Sequence, residues 1–464
     1  MRCEPLISRP AGPLSGTAAI PADKSISHRA LIIGAVAVGE TIIDNLLDAD
    51  DVVATASAVR LLGANVDRLE DDRGGHRWRV VGCGVGGLAE PPAVLDMGNS
   101  GTGARLVMGL AASHGFLTLI TGDASLSSRP MRRVIEPLSR MGAAFWARRG
   151  DRLPLAVRGT SSLLPIDYAS PVASAQIKSA ILLAALNTPG STTVIEPAAS
   201  RDHTERMLTA FGADIVSEAT GAGGRCITLA GQPELVGRPI RVPADLSSAA
   251  FPLVAASIIP GSRLALPGVG INPLRTGLLE TLAEMGADIE IANRREEGGE
   301  PVADLIVQSS PLAGVDVPAA RVPAMIDEFP ILAIAAAAAR GSTRMQGLGE
   351  LRVKESDRLA AVADGLARCG VGVDTGPDWM VVHGVGGPPA GGGCVPVHLD
   401  HRIGMAFLVL GMASRSPVRI DDGRPIRTSF PAFVDRMNAI GAAIGPDIAP
   451  TAPVASRSDV SRRD

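Results

Sequence analysis

Lysine is nearly absent from this chain. Of its 44 basic residues only three are lysine, at Lys24, Lys178 and Lys354, and the rest are arginine. The two residue types are largely interchangeable on a solvated surface, but only lysine is a compact charge that can release its proton. The three lysines that remain are therefore candidates for positions where a guanidinium would not serve.

Aromatic residues and net charge are also low. The 464 residues include 8 Phe, 3 Trp and 1 Tyr, and 44 basic residues stand against 48 acidic ones, for a net charge of −4. Nucleic-acid-binding proteins need a basic face, and those that bind single strands add aromatic platforms on which bases stack. The composition therefore argues against a nucleic-acid partner.

Cysteine and long apolar runs are the remaining shortages. The five cysteines are scattered, and no two are spaced as C-x-x-C. This pattern argues against a disulfide framework or a zinc site and favours a reducing compartment. The first residues lack the apolar core of a signal peptide, and the longest apolar runs, at 249–260 and 331–339, fall short of the ~18–20 residues of a membrane span. We therefore expect a soluble cytoplasmic protein.

What the chain does have is a sixfold repeat. Its length exceeds that of one ordinary core, and its 46% of hydrophobic residues is typical of a globular protein. A pattern of apolar residues around a Gly-Ala or Gly-Val pair occurs as LLGANV (61–66), RMGAAF (140–145), AFGADI (210–215), EMGADI (284–289), RCGVGV (368–373) and AIGAAI (439–444). Each copy follows a helical period and precedes strand-like alternation, so we predict six helix ends at which glycine adopts a positive φ.

Six segments rich in Ala, Leu and Ile alternate with these junctions. They are apolar nearly all round, which predicts helices buried within a layer. The repeating unit is therefore strand, buried helix, strand, amphipathic helix, strand, with a period of roughly 70–85 residues. Because VPADLSS (242–248) echoes IPADKSIS (20–27), we expect chain crossings there. The expected domains are 24–242 and 1–23 plus 243–447, with a disordered tail at 448–464.

Polar residues stand directly before each buried helix. They are Asp23-Lys24-Ser25, Asn99-Ser100-Gly101-Thr102, Ser174-Ala175-Gln176, Asp245-Leu246-Ser247-Ser248, Asp327-Glu328 and Asp400-His401-Arg402. For any single one, N-capping is a sufficient explanation. If the six units are equivalent, however, the helix N-termini face one region, and each favours a nearby anion by roughly 0.3–1 kcal/mol. Together with lysine and arginine they predict a site for a strongly anionic ligand.

Several motifs resemble those of a known family. In chain order they are PADKSISHRA, DMGNSGTGARL, SRPM, SAQIKSA, SRDHTE, MIDEFP, RVKESDRL and LDHRIGMAF. They are similar to motifs of the EPSP synthase family, the 3-phosphoshikimate 1-carboxyvinyltransferases, over nearly the whole chain. The resemblance implies an α/β fold, namely a two-domain inside-out α/β barrel. Such a fold has six βαβαββ units, three per domain, and its active site lies in the interdomain cleft.

The resemblance also implies a reaction. Family members are transferases that move the enolpyruvyl group of phosphoenolpyruvate to the 5-hydroxyl of shikimate 3-phosphate and release inorganic phosphate, on the route to chorismate and the aromatic amino acids. It implies two small-molecule substrates, no cofactor, no metal, and no nucleic-acid or membrane partner. We expect a monomer, because the sequence has no coiled-coil pattern and no apolar surface stripe.

The resemblance assigns residues to each substrate. Those that match the family's shikimate 3-phosphate contacts are Lys24, Ser25, Arg29, Ser174, Ala175, Gln176, Arg201, Asp327 and Lys354. Those that match its phosphoenolpyruvate contacts are Lys24, Gly101, Arg129, Gln176, Arg358 and Arg402, with Asn99 and Arg105 as neighbours of weaker standing. Arginine suits such positions because its planar fork holds a phosphate or carboxylate through two parallel hydrogen bonds.

Two carboxylates and one lysine match the family's catalytic groups. Asp327 corresponds to the base toward the 5-hydroxyl, Glu355 to the proton donor for the methylene carbon, and Lys24 accompanies them. An acid and a base in separate environments suit a reaction that protonates a carbon and then reverses that protonation. Structural roles stay open for both carboxylates: an N-cap for Asp327 and a salt bridge with Lys354 for Glu355.

Three positions depart from many family members. Ala175 and Arg201 each stand where others have serine, and Thr428 stands where others have a phosphate-binding lysine. The charge of Arg201 could compensate in part for that lysine. Gly101 lacks the methyl group that glyphosate-tolerant members often carry, so we expect glyphosate to inhibit the protein.

Two other functions stay open at this point. UDP-N-acetylglucosamine enolpyruvyltransferases share the fold but carry a loop cysteine, and the corresponding loop, GDASLSSRPMRR (122–133), has none. A non-catalytic binding protein for phosphorylated metabolites would explain the arginines but not a carboxylate pair beside Lys354. His398 and His401 could suggest a metal, but no further ligands accompany them. We expect His401 instead to hydrogen-bond the loop around Arg402.

Overall fold

The computed structural model describes residues 3–70, 76–221 and 223–447, so the predicted tail at 448–464 lies outside the described residues. The described helices are α1 (Lys24–Ala35), α2 (Asp50–Leu61), α3 (Gly101–Ala112), α4 (Ala124–Ser128), α5 (Arg132–Met141), α6 (Ala175–Ala185), α7 (His203–Phe211), α8 (Leu246–Ile258), α9 (Gly277–Glu284), α10 (Phe329–Ala338), α11 (Arg358–Arg368), α12 (His401–Ala413) and α13 (Phe433–Ala439). Short 3₁₀ helices lie at Ala319–Ala324, Leu348–Val353 and Arg424–Thr428. None of the helices described here combines the length and the hydropathy needed to cross a bilayer.

The strands are short and are spread along the whole chain. They are β1 (Leu6–Ser8), β2 (Ser15–Thr17), β3 (Glu40–Asp44), β4 (Asn65–Glu70), β5 (His76–Val81), β6 (Leu95–Asp96), β7 (Leu117–Thr121), β8 (Ala144–Arg148), β9 (Arg152–Arg158), β10 (Asp167–Ala169), β11 (Ser191–Glu196), β12 (Ile215–Ala219), β13 (Arg225–Ala230), β14 (Ile240–Arg241), β15 (Arg263–Gly270), β16 (Asp288–Glu297), β17 (Glu300–Gln308), β18 (Asp316–Val317), β19 (Arg340–Gln346), β20 (Gly372–Thr375), β21 (Trp379–Val385), β22 (Cys394–Val395), β23 (Val418–Ile420) and β24 (Ile444–Pro446).

These strands form six four-stranded sheets with one shared topology. In spatial order the sheets are β14-β3-β5-β4, β6-β7-β9-β8, β10-β11-β13-β12, β2-β15-β17-β16, β18-β19-β21-β20 and β22-β23-β1-β24. In each sheet the first two strands are parallel and the others pair antiparallel. A buried helix connects most of the parallel pairs, as α3 does between β6 and β7. The predicted fold of six βαβαββ units is confirmed.

The six predicted helix ends are confirmed as well. The glycine of each repeated junction has a positive φ, at Gly63 (108°), Gly142 (118°), Gly212 (105°), Gly286 (92°), Gly370 (73°) and Gly441 (112°). A side chain would be strained in this conformation, because Cβ would crowd the neighbouring backbone. Glycine therefore ends each outer helix and turns the chain into the next strand.

The apolar helices occupy two separate cores. In the first, α3 packs against α1 and α6, and the buried apolar residues run from Ala22 to Val242. In the second, α8, α10 and α12 pack on one another, and Leu14 and Ala18 join buried residues from Ala244 to Ile444. We call the parts of the chain built around these cores the first lobe and the second lobe.

The chain passes between the lobes where the two echoing motifs lie. Ala22 and Ala244 form an antiparallel bridge. Main-chain hydrogen bonds flank this bridge: the Asp23 N–H donates to the Pro243 carbonyl at 2.8 Å, and the Asp245 N–H donates to the Pro21 carbonyl at 2.9 Å. The two crossings are thus one paired ribbon, and the residue after each aspartate begins a buried helix.

Candidate active site

Side chains cap most of the buried helices. Four N-caps accept a hydrogen bond from a main-chain N–H of the first turn, namely Asp23, Ser100, Asp245 and Asp400. The N-cap residues of α6 and α10 are Ser174 and Glu328, and neither side chain accepts a hydrogen bond from the main chain of its helix. Asp327 lies one residue before the N-cap of α10, so the capping role left open for it is wrong.

The N-terminal ends of these helices lie beside one another. Gln176 at the start of α6 donates from Nε2 to Thr102 Oγ1 at the start of α3, at 3.0 Å. Arg402 in the first turn of α12 donates to the main-chain carbonyl of Asp327, at 3.2 Å. Arg201, just before α7 in the first lobe, reaches across to the Asp327 carboxylate of the second lobe. The predicted meeting of polar helix ends therefore lies where the lobes face each other.

Asp327 is surrounded by cations. Its Oδ2 accepts a hydrogen bond from Arg201 at 2.5 Å, and its Oδ1 accepts one from Arg358 at 3.1 Å. Burial alone would raise the pKa of the Asp327 carboxyl. The charges of Arg201 and Arg402 outweigh that effect and hold the pKa well below its usual range. Asp327 is therefore ionised. It can accept a proton only after some of these arginines pair with another anion.

Glu355 also pairs with arginine. Its Oε2 accepts a hydrogen bond from Arg358 at 2.5 Å, and its Oε1 lies 3.7 Å from an Arg129 guanidinium nitrogen across the cleft. No ion pair joins it to Lys354 among the residues that the structure describes, so the salt bridge left open for this pair is wrong. Burial raises the pKa of Glu355, but Arg358 and Arg129 together lower it below its usual range.

Arg358 links the two carboxylates. Its side chain is only 1% exposed, and besides Asp327 and Glu355 it donates from Nε to Asp400 Oδ2 at 2.8 Å. Burial opposes its charge, yet the three carboxylates raise the pKa of the guanidinium above its ordinary value. One rigid cation thus fixes the relative positions of both predicted catalytic carboxylates.

Lys24 is the first residue of α1, and its side chain reaches the second lobe. Its ammonium group forms an ion pair with Asp51 of α2 and donates to the main-chain carbonyl of Thr428 in the second lobe, at 3.3 Å. Sequence reasoning missed Asp51, because acidic residues in the first turn of a helix are common on charge grounds alone. Thr428, expected to stand where many family members have a lysine, thus accepts a hydrogen bond from Lys24 through its main-chain carbonyl.

Arg129 lies beside the start of α3. It donates to Asn99 Oδ1 at 2.7 Å and to Ser125 Oγ at 2.9 Å. A Cβ added at Gly101 would come within 3.0 Å of both the Arg129 and the Arg105 guanidinium groups. Glycine therefore leaves room for these two arginines at the helix N-terminus. Arg105 donates to the Gly101 carbonyl at 2.9 Å, and burial lowers its pKa to about 10.

Arg29 is buried beneath the first turn of α1. It donates to Thr204 Oγ1 at 2.7 Å, to Ser179 Oγ at 2.8 Å and to the Ser25 carbonyl at 3.0 Å. Burial lowers its pKa to about 10, although Glu205 opposes the shift. Its hydrogen bonds go to neutral oxygens, so its positive charge is available to an anion.

Polar groups without partners line the same region. Within the described chain, the hydroxyls of Ser25 and Ser174 form no hydrogen bond, and neither do Lys354 Nζ and the His401 ring. The hydrogen bond expected for His401 is therefore not present. Burial lowers the pKa of Lys354, an effect that Asp327 opposes, and burial together with Arg402 lowers the pKa of His401. No group of three or more metal-ligating side chains occurs in the part of the chain that the structure covers.

The arrangement is suited to anions that carry several charges. Arginines from both lobes surround two carboxylates, and helix N-termini add further N–H donors. An incoming phosphate or carboxylate group can take the place of the protein carboxylates on these guanidinium forks. The site therefore combines multivalent anion capture with two acids whose protonation depends on what the arginines hold.

Comparison with known proteins identifies the family. The family model described as EPSP synthase (3-phosphoshikimate 1-carboxyvinyltransferase) matches residues 8–437. The chain belongs to the EPSP synthase family. It is 63% identical over 444 residues to the 3-phosphoshikimate 1-carboxyvinyltransferase of Paramagnetospirillum magneticum, covering 96% of this chain and 99% of that protein. The enzyme of Rhodospirillum rubrum is 62% identical over 440 residues, covering 95% and 98%.

Two solved structures have the same fold as this chain. EPSP synthase from Acinetobacter baumannii superimposes with a TM-score of 0.84 at 42% identity, over 95% of this chain and all of that one. The enolpyruvyl transferase NikO from Streptomyces tendae shares the fold, with a TM-score of 0.75 at 18% identity over 97% of this chain and 100% of its own. The six-unit architecture is thus that of the EPSP synthase family.

Family membership settles the activity. The enzyme is a transferase that moves the enolpyruvyl group of phosphoenolpyruvate to the 5-hydroxyl of shikimate 3-phosphate and releases phosphate, within aromatic amino acid biosynthesis. The UDP-N-acetylglucosamine reaction and the non-catalytic binding role are set aside, because relatives that match nearly the whole length of this chain are 3-phosphoshikimate 1-carboxyvinyltransferases.

Proposed function

We propose that Asp327 is the base and Glu355 the acid of this reaction, with Lys24 as a third catalytic group. The observation that carries the proposal is the buried guanidinium of Arg358, which contacts both carboxylates at 3.1 and 2.5 Å. Two acids held by one cation are close enough to serve a single substrate pair. Their other contacts differ, which gives each a separate role.

The proposed chemistry has two steps. In the first, the 5-hydroxyl gives its proton to Asp327 and its oxygen bonds to the central carbon of phosphoenolpyruvate, while Glu355 protonates the methylene carbon to a methyl group. In the second, the bond from that carbon to the phosphate oxygen breaks, the methyl group returns a proton to Glu355, and the departing phosphate takes the proton that Asp327 had accepted. Lys24, as a compact ammonium, stabilises the departing phosphate.

Substrate anions can prepare Glu355 for its role as an acid. Arg129 and Arg358 keep Glu355 ionised while they pair with it. When the phosphate and carboxylate of phosphoenolpyruvate take up these arginines, the carboxyl loses its stabilising charges and gains negative neighbours. Both changes raise its pKa, so substrate binding itself promotes proton uptake.

Each substrate is placed against residues of both lobes, and Lys24 and Gln176 belong to both sets. We place shikimate 3-phosphate against Lys24, Ser25, Arg29, Ser174, Ala175, Gln176, Arg201, Asp327 and Lys354. The hydroxyls of Ser25 and Ser174, which have no partner in the described structure, suit its phosphate. Ala175 can contribute only its backbone. We place phosphoenolpyruvate against Lys24, Gly101, Arg129, Gln176, Arg358 and Arg402. A methyl group at position 101 would crowd the Arg129 and Arg105 guanidinium groups, and its absence supports inhibition by glyphosate.

The assignment is tested with Asp327→Asn and Glu355→Gln, measured in D₂O. We expect both variants to lose about a hundredfold or more in kcat. With both substrates present, the unchanged enzyme should exchange deuterium into the methylene group of phosphoenolpyruvate, because the carbon protonation is reversible. Glu355→Gln should abolish this exchange while shikimate 3-phosphate still binds. Normal exchange in Glu355→Gln would assign the proton donor elsewhere.

We further propose the domain division 24–242 and 1–23 plus 243–447, a monomer, and a cytoplasmic location. The paired crossing at Ala22 and Ala244 supports the division. The scattered cysteines, none in a disulfide among the described residues, support a reducing compartment. Sedimentation equilibrium tests the monomer directly, since a dimer would double the measured mass.

A further inference from the structure

Lys178, the third lysine, lies outside the cleft. Its side chain is 2% exposed, within α6, and its Nζ lies 2.8 Å from Glu196 Oε2 and 2.7 Å from Glu205 Oε1. Both carboxylates are buried as well. Burying a cation between two anions costs desolvation free energy, and the reaction proposed above does not use this cluster.

The cluster converges on the residue before Arg201. Lys178 Nζ donates to the Ser200 carbonyl at 3.3 Å, and Ser200 Oγ donates to Glu196 Oε1 at 2.5 Å. The Ser200 N–H also donates to Glu196 Oε2, at 3.4 Å. The N–H, carbonyl and hydroxyl of this one residue are thus all fixed by the buried ion pair.

Two other first-lobe hydrogen bonds flank Arg201: the Ala199 N–H donates to the Gly223 carbonyl at 3.1 Å, and Arg206 Nε donates to Asp202 Oδ2 at 2.9 Å. Residues 197–202 connect β11 to α7 without regular secondary structure, so no helix or strand hydrogen bonds define the backbone there. Asp202, on the other side of Arg201, accepts a hydrogen bond from Asn272 of the second lobe at 2.6 Å. Ser200, the residue directly before Arg201, is therefore the point at which the buried ion pair fixes the backbone that carries Arg201.

We propose that Lys178 is a positioning residue that aims Arg201 at shikimate 3-phosphate, acting through Glu196 and Ser200. This inference rests on the assignment of Arg201 to that substrate. Arg201 has a long side chain that must be ordered when its guanidinium binds the substrate. If the backbone of Arg201 is already fixed, less binding free energy is lost in that ordering. Lysine suits the cluster because one compact ammonium reaches two carboxylates and a carbonyl at once.

Ser200→Ala is the main test, because it removes one hydroxyl and leaves the ion pair in place. We expect it to weaken shikimate 3-phosphate binding about fivefold by calorimetry, with the KM for phosphoenolpyruvate within about twofold of normal. Arg201→Ala should weaken the same binding about tenfold or more. The double variant should bind no more weakly than Arg201→Ala alone, because both changes weaken the same interaction, the one between Arg201 and the substrate.

Two further variants separate positioning from general stability. Ser257→Ala removes a buried hydroxyl at the far end of α8, where it bonds only the Leu253 carbonyl, and should leave substrate binding unchanged at a similar loss of thermal stability. Lys178→Met should weaken shikimate 3-phosphate binding at least as much as Ser200→Ala where it folds, and the serine variant carries the test where it does not.

The outcomes distinguish the two proposals. If Arg201→Ala binds shikimate 3-phosphate normally, the assignment of Arg201 is wrong and the inference falls with it. If Arg201→Ala binds weakly but Ser200→Ala binds normally, the assignment stands and the positioning role of Lys178 is refuted. A loss in the double variant equal to the sum of the single losses would refute it as well.

Discussion

Arginines that face one another are kept in place by carboxylates. Arg201, Arg358 and Arg402 would repel in an empty cleft, but Asp327 lies among them and balances their charge. Removing such a carboxylate leaves uncompensated cations in a partly buried site. Asp327 therefore prepares the anion site as well as serving as the proposed base, and its replacement affects binding and chemistry together.

Lys24→Arg tests whether a compact ammonium is needed in the cleft. We expect kcat to fall about a hundredfold or more, because a guanidinium is broader than an ammonium and cannot take the position from which Lys24 stabilises the departing phosphate. The fold should persist, since charge is conserved beside Asp51. Steady-state kinetics and a thermal melt check both statements. Arg132→Lys, at an exposed side chain, is the matched control and should keep normal turnover; near-normal kinetics for Lys24→Arg would refute the prediction.

The motifs predicted which residues approach the cleft but not how they pair. Glu355 follows Lys354 in the chain, yet its partners are Arg358, three residues on, and Arg129, in the other lobe. Neighbours in sequence point in different directions outside regular structure, so adjacency favoured the wrong partner. Asp51 was invisible for a similar reason, since only tertiary packing places α2 beside Lys24.

At the scale of elements, the buried helices carry polar groups that face one another. His28 of α1 shares a hydrogen bond of 2.8 Å between Nδ1 and Thr55 Oγ1 of α2, and its side chain is fully buried. Burial lowers the pKa of His28 well below its ordinary value, and the charge of Lys24 adds to this. The folded protein therefore holds His28 neutral.

This burial makes stability depend on pH. Below about pH 6.5 the unfolded chain binds a proton at His28, whereas the folded chain does not. The contribution of neutral His28 to the free energy of unfolding is therefore fully present above that pH and is lost as the pH falls. At pH 5.5 the loss from this one group is on the order of 1 kcal/mol. Urea unfolding at pH 7.5 and 5.5 should show a smaller loss for His28→Gln than for the unchanged protein. Equal losses would contradict the prediction.

Elements were more predictable than contacts. The glycine of each junction requires a positive φ, and the aspartates and serine before the buried helices cap them, because both effects act within a few residues. The arrangement of β14 beside β3, and of β1 between β23 and β24, joins segments remote in sequence. Only the echo of two short motifs hinted at such crossings.

At the scale of the whole molecule, charged side chains join the lobes in addition to the paired main-chain crossing. Exposed Arg133 of α5 holds Glu350 of the second lobe through both carboxylate oxygens, at 3.1 and 3.2 Å. An exposed pair of this kind contributes less than about 1 kcal/mol. We therefore expect closure of the cleft to depend on what the larger group of arginines inside it can bind.

Shikimate 3-phosphate should compact the enzyme. Its phosphate and carboxylate can bridge cations from both lobes, and two-domain enzymes commonly close on a substrate held between them. Small-angle scattering should show a smaller radius of gyration with shikimate 3-phosphate and no change with phosphoenolpyruvate alone, because we expect shikimate 3-phosphate to bind first. Shikimate without its phosphate is the matched control. An unchanged radius at saturating shikimate 3-phosphate would refute closure.

The sheet order also has a consequence for synthesis on the ribosome. The first lobe is complete once β14 emerges, but β1 and β2 belong to sheets whose other strands are made later, β24 last of all. These early strands must wait with unpaired edges while the rest of the second lobe is translated, and such edges invite aggregation. Nascent chains stalled beyond Arg241 should therefore resist protease in the first lobe and remain cleavable near Leu6.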